Sequence, residues 1–276
     1  MNISEAFGKM ADAISANVPQ ADNEYIGEDG FKRCSVCHRR TETRIFVAEL
    51  GIDKIVRCCC ECKDREIDEQ VRRRESDTQR RICFGKQTEM AGWTFENDDR
   101  KNAKLSDAML RYAEGFSDFK KESKGLLLYG PVGTGKSFLA ACIANRLIDK
   151  GMKVKMTNFS ALINEIQATF DGKQEIIDDL NRYPLLIIDD LGVERQTEYM
   201  QEQVFNIIDT RYRAGLPMIV TTNLSIDEIK KPQDVRCARI YDRIIERCFP
   251  IEVAGTSRRR QNVRDTFDDV KARLGL

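Results

Sequence analysis

Histidine is almost missing from this chain: His38 is the only one in 276 residues. No H-E-x-x-H or comparable general-base arrangement can be assembled around a metal, which argues against a catalytic zinc. A dominant charge is missing too. Lys and Arg total 45, Asp and Glu total 45, and the formal net charge is zero. No global field therefore directs the chain toward nucleic acid or a membrane surface, and any such affinity must come from local patches. No alternation of aromatic and basic residues marks a DNA path. No stretch approaches the roughly 18 apolar residues of a membrane span, and the opening MNISEAFGKMADAISANVPQ carries no secretory apolar run. A soluble cytoplasmic protein with no membrane partner is the expectation, and the length favours one large domain plus a small one.

Cysteine, by contrast, is concentrated. Of ten in total, Cys34 and Cys37 form a C-x-x-C pair in FKRCSVCHRR, and Cys58, Cys59, Cys60 and Cys62 crowd the later run VRCCCECKDRE. In a reducing compartment such a set is better read as metal ligands than as disulfides. Two close pairs on either side of TRIFVAELGIDKIVR, which suits a hairpin, match a zinc ribbon or a related module. The second clamp has two readings: Cys59-x-x-Cys62 repeats the first pair, and Cys60-x-Cys62 is tighter. Cys58 or His38 could also complete the set, and the alternative to a metal is unliganded or redox-active thiols. Four thiolates on one structural Zn²⁺, drawn from Cys34, Cys37, Cys59, Cys60 and Cys62, are expected. Cys83, Cys142, Cys237 and Cys248 are scattered and read as small buried or half-buried residues.

A second signal lies far downstream. The apolar run Leu126–Tyr129 reads as a buried strand and meets Gly130, Pro131, Val132, Gly133, Thr134, Gly135, Lys136 and Ser137. This fits G-x-x-x-x-G-K-[ST], and an apolar-periodic helix over Phe138–Asp149 follows. Glycines let backbone N–H groups approach phosphate oxygens, and the helix N-terminus adds partial positive charge. Lys136 should reach the β/γ-phosphates of ATP and Ser137 should bind Mg²⁺. A second strand, Leu185–Ile188, ends in Asp189 and Asp190. Asp189 would hold Mg²⁺ directly or through water, and Asp190, shorter than the Glu common at such positions, would polarise the attacking water. A third, Pro217-MIVTTN, ends in Asn223, which could orient that water, touch the γ-phosphate, or simply make a turn.

Between these strands run a short strand at Lys153–Met156 and helices at Phe159–Phe170 and Glu198–Arg213, and Ile251–Val253 reads as a last strand. The alternation predicts an α/β fold, a parallel sheet wrapped by helices. A strand lies in sequence between the glycine-loop strand and the IIDD strand, which suits the branch of P-loop NTPases that includes AAA+ ATPases. Arg236, Arg239, Arg243 and Arg247 follow one helix stripe. They suit either an arginine finger offered to a neighbouring subunit or a solvated face pairing with Asp242 and Glu246.

Together, LLLYGPVGTGKSFLA, LLIIDDLGVE, IVTTNL, ARIYDRI and GTSRR resemble the DnaC/IstB-like AAA+ ATPases, which include bacterial and phage replicative-helicase loaders. GWTFEND resembles the family segment that leads into the core near the adenine. The resemblance covers roughly residues 85 to 265. It implies that Lys136 and Ser137 act in the P-loop, that Asp189 and Asp190 form the Walker B pair, and that Asn223 stands at the sensor I position. It further implies Arg243 as arginine finger with Arg239 its companion, Arg259 (flanked by Arg258 and Arg260) at sensor II, and a reduced lid. The cysteine cluster with the charged helix after it is similar to Gram-positive and phage loaders, whose zinc-bearing N-terminal domain contacts the helicase.

Three parts follow: residues 1–62 as an N-terminal helix and zinc-binding module, 63–84 as a charged helical linker, and 85–276 as the AAA+ ATPase domain. KDREIDEQVRRRESDTQRR carries no Gly or Pro and should be a solvated helix with pairs such as Asp68–Arg72. Ile3, Phe7, Met10 and Ile14 form a helical stripe, capped by Asn2-x-x-Glu5 and stopped at Pro19, which would dock on its own domain or on a partner. The expected activity is ATP hydrolysis in the service of loading a DnaB-type replicative helicase, with single-stranded DNA and further copies of the chain as partners. Two alternatives remain at this stage, a transposition helper ATPase and a nucleotide-gated adaptor with little turnover.

Overall fold

The computed structural model describes residues 3–20, 23–169, 172–192, 198–232 and 234–257, with positions 267, 270, 271, 273 and 274 beyond them. The chain divides into two compact units, Met1–Glu75 and Ser76–Leu276. The division falls inside one continuous helix, Glu61–Phe84, rather than on either side of it.

In the first unit helix α1 (Ile3–Asn17) precedes two antiparallel hairpins, β1 (Glu24–Ile26) with β2 (Lys32–Cys34) and β3 (Glu42–Val47) with β4 (Ile52–Arg57). The β3–β4 turn closes on Gly51, whose φ of 63° is open to glycine without strain. Helix α1 lies on β4 through polar bonds: Lys54 Nζ donates to Asp12 and to the Gly8 carbonyl, and the Arg57 N–H donates to Ser15. Phe7 and Met10 stay on the surface, so their part of the apolar stripe is not the packed face; Ala11 is. Asn2 lies outside the described residues. Helix α2 (Glu61–Phe84) is almost wholly charged until its last turn, where Cys83 and Phe84 are buried. Its ion pairs include Lys63–Glu66 and Asp77–Arg80 within the helix, and among the described residues no ion pair joins Asp68 to Arg72.

The second unit adds helices α3 (Ala103–Glu114), α4 (Phe116–Lys121), α5 (Lys136–Asp149), α6 (Phe159–Ala168), α7 (Lys173–Asp179), α8 (Glu198–Arg213), α9 (Ile226–Lys230) and α10 (Val235–Arg247). Its strands are β5 (Gly125–Tyr129), β6 (Val154–Asn158), β7 (Leu185–Leu191), β8 (Met218–Thr222) and β9 (Cys248–Glu252), all parallel, in the order β6-β7-β8-β5-β9. Strand β9 begins at Cys248, earlier than its sequence suggests, because Gly125 at the start of β5 pairs with Cys248.

Period-two alternation sends side chains into two cores. Leu126, Leu128, Leu185, Ile187 and Ile219 join the core containing α3 and α5, and Leu127, Leu186, Ile188, Met218 and Val220 join the one containing α6, α8 and α10. At the N-terminal edge of the sheet a buried arginine fastens two strands. Arg211 donates to the carbonyls of Leu180, Tyr183, Pro184 and Pro217, just ahead of β7 and β8, and burial lowers its pKa to about 10.

Charge-assisted bonds to four carbonyls, two of them fully buried, cannot be replaced by an apolar chain. Arg211→Met should cost about 3 kcal/mol, a fall of roughly 6–12 °C in the melting temperature of a domain this size, measured by calorimetry. An unchanged melting temperature would mean that the carbonyls find water instead.

Candidate functional site: a glycine loop facing two strand ends

The parallel sheet delivers its loops to one edge, the C-terminal ends of β5, β7 and β8. Strand β5 runs into the glycine loop, where Gly130, Gly133 and Gly135 all have positive φ. Two of these glycines are also sterically required. A Cβ on Gly130 would lie 2.7 Å from the Val253 carbonyl oxygen, and one on Gly133 would lie 2.2 Å from Ser257 Oγ. Helix α5 starts at Lys136, and Thr134 braces the loop by donating to the Pro131 carbonyl at 2.9 Å.

Lys136 is buried. Its ammonium donates to the carbonyls of Gly130 (2.9 Å) and Pro131 (2.8 Å) and to Asn223 Oδ1 (2.7 Å). Burial pushes its pKa down, while the charges of Asp190 and Asp189 oppose the shift. Asn223 is therefore held against the loop by Lys136. Asp189 ends the regular part of β7, and burial pushes its carboxyl up, resisted by hydrogen bonds from Thr221 and Ser137. The Thr221 hydroxyl donates to Asp189 Oδ1 at 2.5 Å and accepts the Asp190 N–H at 2.9 Å. Asp190 has φ of 58° where the β7–β8 register shifts. That bulge turns the two adjacent acids apart, leaving Asp189 buried and Asp190 exposed.

Asp190, Asn223, Lys136, Ser137, Gly133, Gly135 and Val132 line a cleft of about 480 Å³, whose other wall is Trp93, Asn97, Asp99, Lys101 and Phe138. The Trp93 and Phe138 rings are 5.9 Å apart. The sequence reading noted GWTFEND only by resemblance and missed what holds it. Asn145 on α5 donates to the carbonyls of Met90 and Trp93, both at 2.8 Å, and accepts Arg80 Nε at 3.0 Å. Arg80 in turn pairs with Asp149. Thr221 was missed as well, although adjacent hydroxyls ending an apolar strand were the available signal.

Arg243 does not point free into solvent. Its Nε donates to Asp209 on α8 at 2.6 Å, and its guanidinium lies over Phe205. Asp242 and Glu246 are not its partners; Glu246 accepts from the Tyr212 hydroxyl instead. Arg239 also stacks on Phe205. Arg259 lies outside the described residues.

In the first unit the thiols of Cys34, Cys37, Cys60 and Cys62 converge, all within 4.8 Å of one another. Four thiols at that spacing are a donor set for a thiophilic ion such as Zn²⁺. The C-x-C reading of the second clamp is the one that assembles. Cys60 precedes α2 and Cys62 sits in its first turn, so both face the first pair, whereas Cys59 lies outside the group. Its thiol is pushed up to about 11 by burial and by the Asp64 carboxylate. Cys58 bonds to the Arg40 carbonyl, and His38 turns its ring to Tyr25, with Nδ1 3.1 Å from the hydroxyl. The backbone N–H of Arg39 pulls the Cys37 thiol down, and the Val36 N–H points at Cys34 Sγ.

A parallel sheet with a glycine loop entering a helix, an amide after the adjacent strand β8 and an acid pair on β7 beyond it has the arrangement of an AAA+-like core. The family described as IstB-like ATP binding protein matches residues 61–266, and the chain belongs to this DnaC/DnaI/IstB-like group of AAA+ ATPases. It is similar to the replicative helicase loader DnaI of Bacillus subtilis, with 29% identity over 192 residues, 63% of this chain and 60% of the relative. It is also similar to the replicative helicase loader DnaC of Escherichia coli K12, with 26% identity over 142 residues, 50% of this chain and 58% of that protein. The chain thus spans about three fifths of the length of these relatives. A crystal structure of DnaI superposes with a TM-score of 0.52 at 28% identity, covering 62% of this chain and 92% of that one. The structure of the DnaC helicase loader, with a TM-score of 0.50 at 22% identity over 59% of this chain and 97% of that one, shares the fold. Among the described residues no helix is long and apolar enough to cross a membrane.

Trp93 is the only tryptophan, so its tether can be read optically. Asn145→Leu removes three hydrogen bonds and should shift the emission to the red and increase quenching by acrylamide, with the melting temperature lowered by only a few degrees. Unchanged emission would show that packing on Phe138 alone holds the ring.

Proposed function

We propose that this protein is an ATP-dependent loader of a DnaB-type replicative helicase. In this reading the four-cysteine unit holds a structural Zn²⁺ and grips the helicase. The ATPase unit binds ATP and single-stranded DNA in the cytoplasm, assembles with further copies, and hydrolyses ATP to release its cargo. The observation that carries the reading is the joining, in one chain, of a convergent four-thiol unit to an ATPase unit of the DnaC/DnaI-like fold.

The residues divide the work as follows. Backbone N–H groups from Val132 to Gly135 receive the phosphates, and Lys136 exchanges its three internal acceptors for β/γ-phosphate oxygens. Mg²⁺, held through Ser137 and Asp189, would neutralise charge on those oxygens. Asp190, exposed at the bulge, accepts a proton from the attacking water, and Asn223 orients that water once Lys136 releases its amide. Water adds to the γ-phosphorus and ADP leaves, giving ADP and phosphate. Arg243 of an adjacent copy stabilises the transferring group. Arg259 acts at the sensor II position, as the family resemblance implies.

Three results test this. Lys136→Ala should abolish ATP binding, and Asp190→Asn should lower turnover about 100-fold while leaving the affinity for ATP within a factor of two or so. An equal loss of affinity in Asp190→Asn would remove it from the base role. Metal analysis should find about one Zn²⁺ per chain, lost in Cys37→Ser and Cys62→Ser and kept in Cys59→Ser. The decisive mixture pairs the protein with the replicative helicase of its own genome and ATP. A complex is expected by light scattering, and it should disappear in a Cys34→Ser/Cys60→Ser variant that still binds ATP. Failure with the helicase and capture by a transposase would identify a transposition helper, and binding without turnover would identify a nucleotide-gated adaptor.

A further inference from the structure

The arginines of α10 do not form a free basic stripe; they lie along a prepared shelf on α8. Phe205, Asp209 and Tyr212 recur at helical spacing on α8, opposite Arg239, Arg243 and Arg247 on α10. The guanidinium of Arg239 lies 5.2 Å from the Phe205 ring centre, and that of Arg243 lies 4.6 Å from it. The Tyr212 ring lies beneath Arg243 at 5.7 Å and beneath Arg247 at 4.7 Å. One acid sits at the middle of this ladder.

Asp209 is the charged member. One carboxylate oxygen accepts Arg243 Nε at 2.6 Å and the other accepts Arg213 Nε at 2.7 Å. Its side chain is 13% exposed, against 23% for Arg243 and 75% for Arg213. Arg243 also donates from Nη1 to the Arg239 carbonyl, so two of the five N–H donors of its guanidinium are used within the chain. The remaining three, including both on Nη2, have no partner among the described residues.

A paired arginine could be read as a neutralised one. The charge count decides against that. Asp209 bridges two arginines, and the cluster Arg213–Asp209–Arg243 keeps a net charge of +1. The guanidinium is thus fixed in direction by Asp209 and by ring faces, while three of its donors and a net positive charge are not consumed by these contacts. An unsupported arginine would have to order its long side chain anew at every encounter with an anion.

We propose that Asp209 is a positioning residue for Arg243, holding it in the orientation in which it meets the triphosphate bound by an adjacent copy of this chain. The inference rests on the reading of Arg243 given under Proposed function. It makes the productive contact depend on α8 of the subunit that donates the arginine, in trans to the nucleotide being hydrolysed.

The test is partner-stimulated ATP turnover at saturating nucleotide. Asp209→Ala should lower kcat about tenfold with KM for ATP unchanged, and Asp209→Asn, which keeps an acceptor oxygen for Nε, should recover most of it. Added to Arg243→Ala, the Asp209→Ala change should cost nothing further. In mixed assemblies, Asp209→Ala carried by subunits that also bear Lys136→Ala should still slow hydrolysis by wild-type neighbours. The inference is overturned if Asp209→Ala costs the same factor without Arg243, if it raises KM and spares kcat, or if its defect stays in the subunit's own site. Should Arg243→Ala itself leave turnover intact, the finger reading fails beneath it, and that result is distinguishable from all the others.

Discussion

Everything at the edge that carries the cleft depends on a five-stranded parallel sheet buried on both faces. Alternate residues of β5, β7 and β8 are committed to two different apolar cores, so a polar group has no place along these strands except at their ends. At the N-terminal ends that demand is met by Arg211, which gathers four carbonyls with one guanidinium. At the C-terminal ends it is met by a reciprocal set. Lys136 takes two loop carbonyls and Asn223, and Thr221 ties Asp189 to the Asp190 backbone. The site is thus the sheet's own terminating hydrogen-bond network, rather than a set of groups added to a finished fold.

That network is electrostatically tense. Burial pulls the Lys136 pKa down and pushes the Asp189 carboxyl up, and each shift is opposed by opposite charge or by hydroxyl donors. Carbonyls and an amide oxygen are modest partners for a buried ammonium beside what phosphate oxygens offer. The present bonds of Lys136 satisfy it without matching it, and an anion entering the cleft can displace them at little cost. Glycine at positions 130 and 133 lets the loop backbone lie against Val253 and Ser257, where a Cβ would collide.

The chemistry was more legible in the sequence than the supports beneath it. The glycine loop, the acids at the end of β7 and the amide after β8 are local patterns fixed by a strand running into a loop, and all of them meet at one edge. The cysteine pairing was half legible. Spacing alone offered Cys59 or Cys60, and only the start of α2 selects Cys60 and Cys62, because helix geometry decides which thiols face the first pair. Asn145, Arg211 and Asp209 gave no sequence signal at all. The partners that give each its role include groups far along the chain, so an Asn in an apolar helix or an Asp in an amphipathic one looks like an ordinary residue. The division inside Glu61–Phe84 was equally hidden, since a helix of uniform charge carries no punctuation at the point where its environment changes.

The first unit shows why its cysteines had to be the loudest feature of the chain. Among its described residues the buried apolar side chains are Ala11, Ile52 and Val56, together with Cys34 and Cys60 from the thiol group itself. Fully burying one Ile or Val contributes about 1.5–3 kcal/mol, while ordering each residue's backbone costs about 1–2 kcal/mol, so so few side chains cannot hold two hairpins and a helix. Surface ion pairs such as Arg44–Asp53 and Lys54–Asp12 are screened by solvent and cannot close that gap. A metal bridging the β2 turn to the start of α2 would supply the missing long-range constraint, linking the first hairpin to the helix that follows the second. The four thiols lie at that junction, rather than in the middle of either hairpin, where such a link would join segments that so small a core leaves apart.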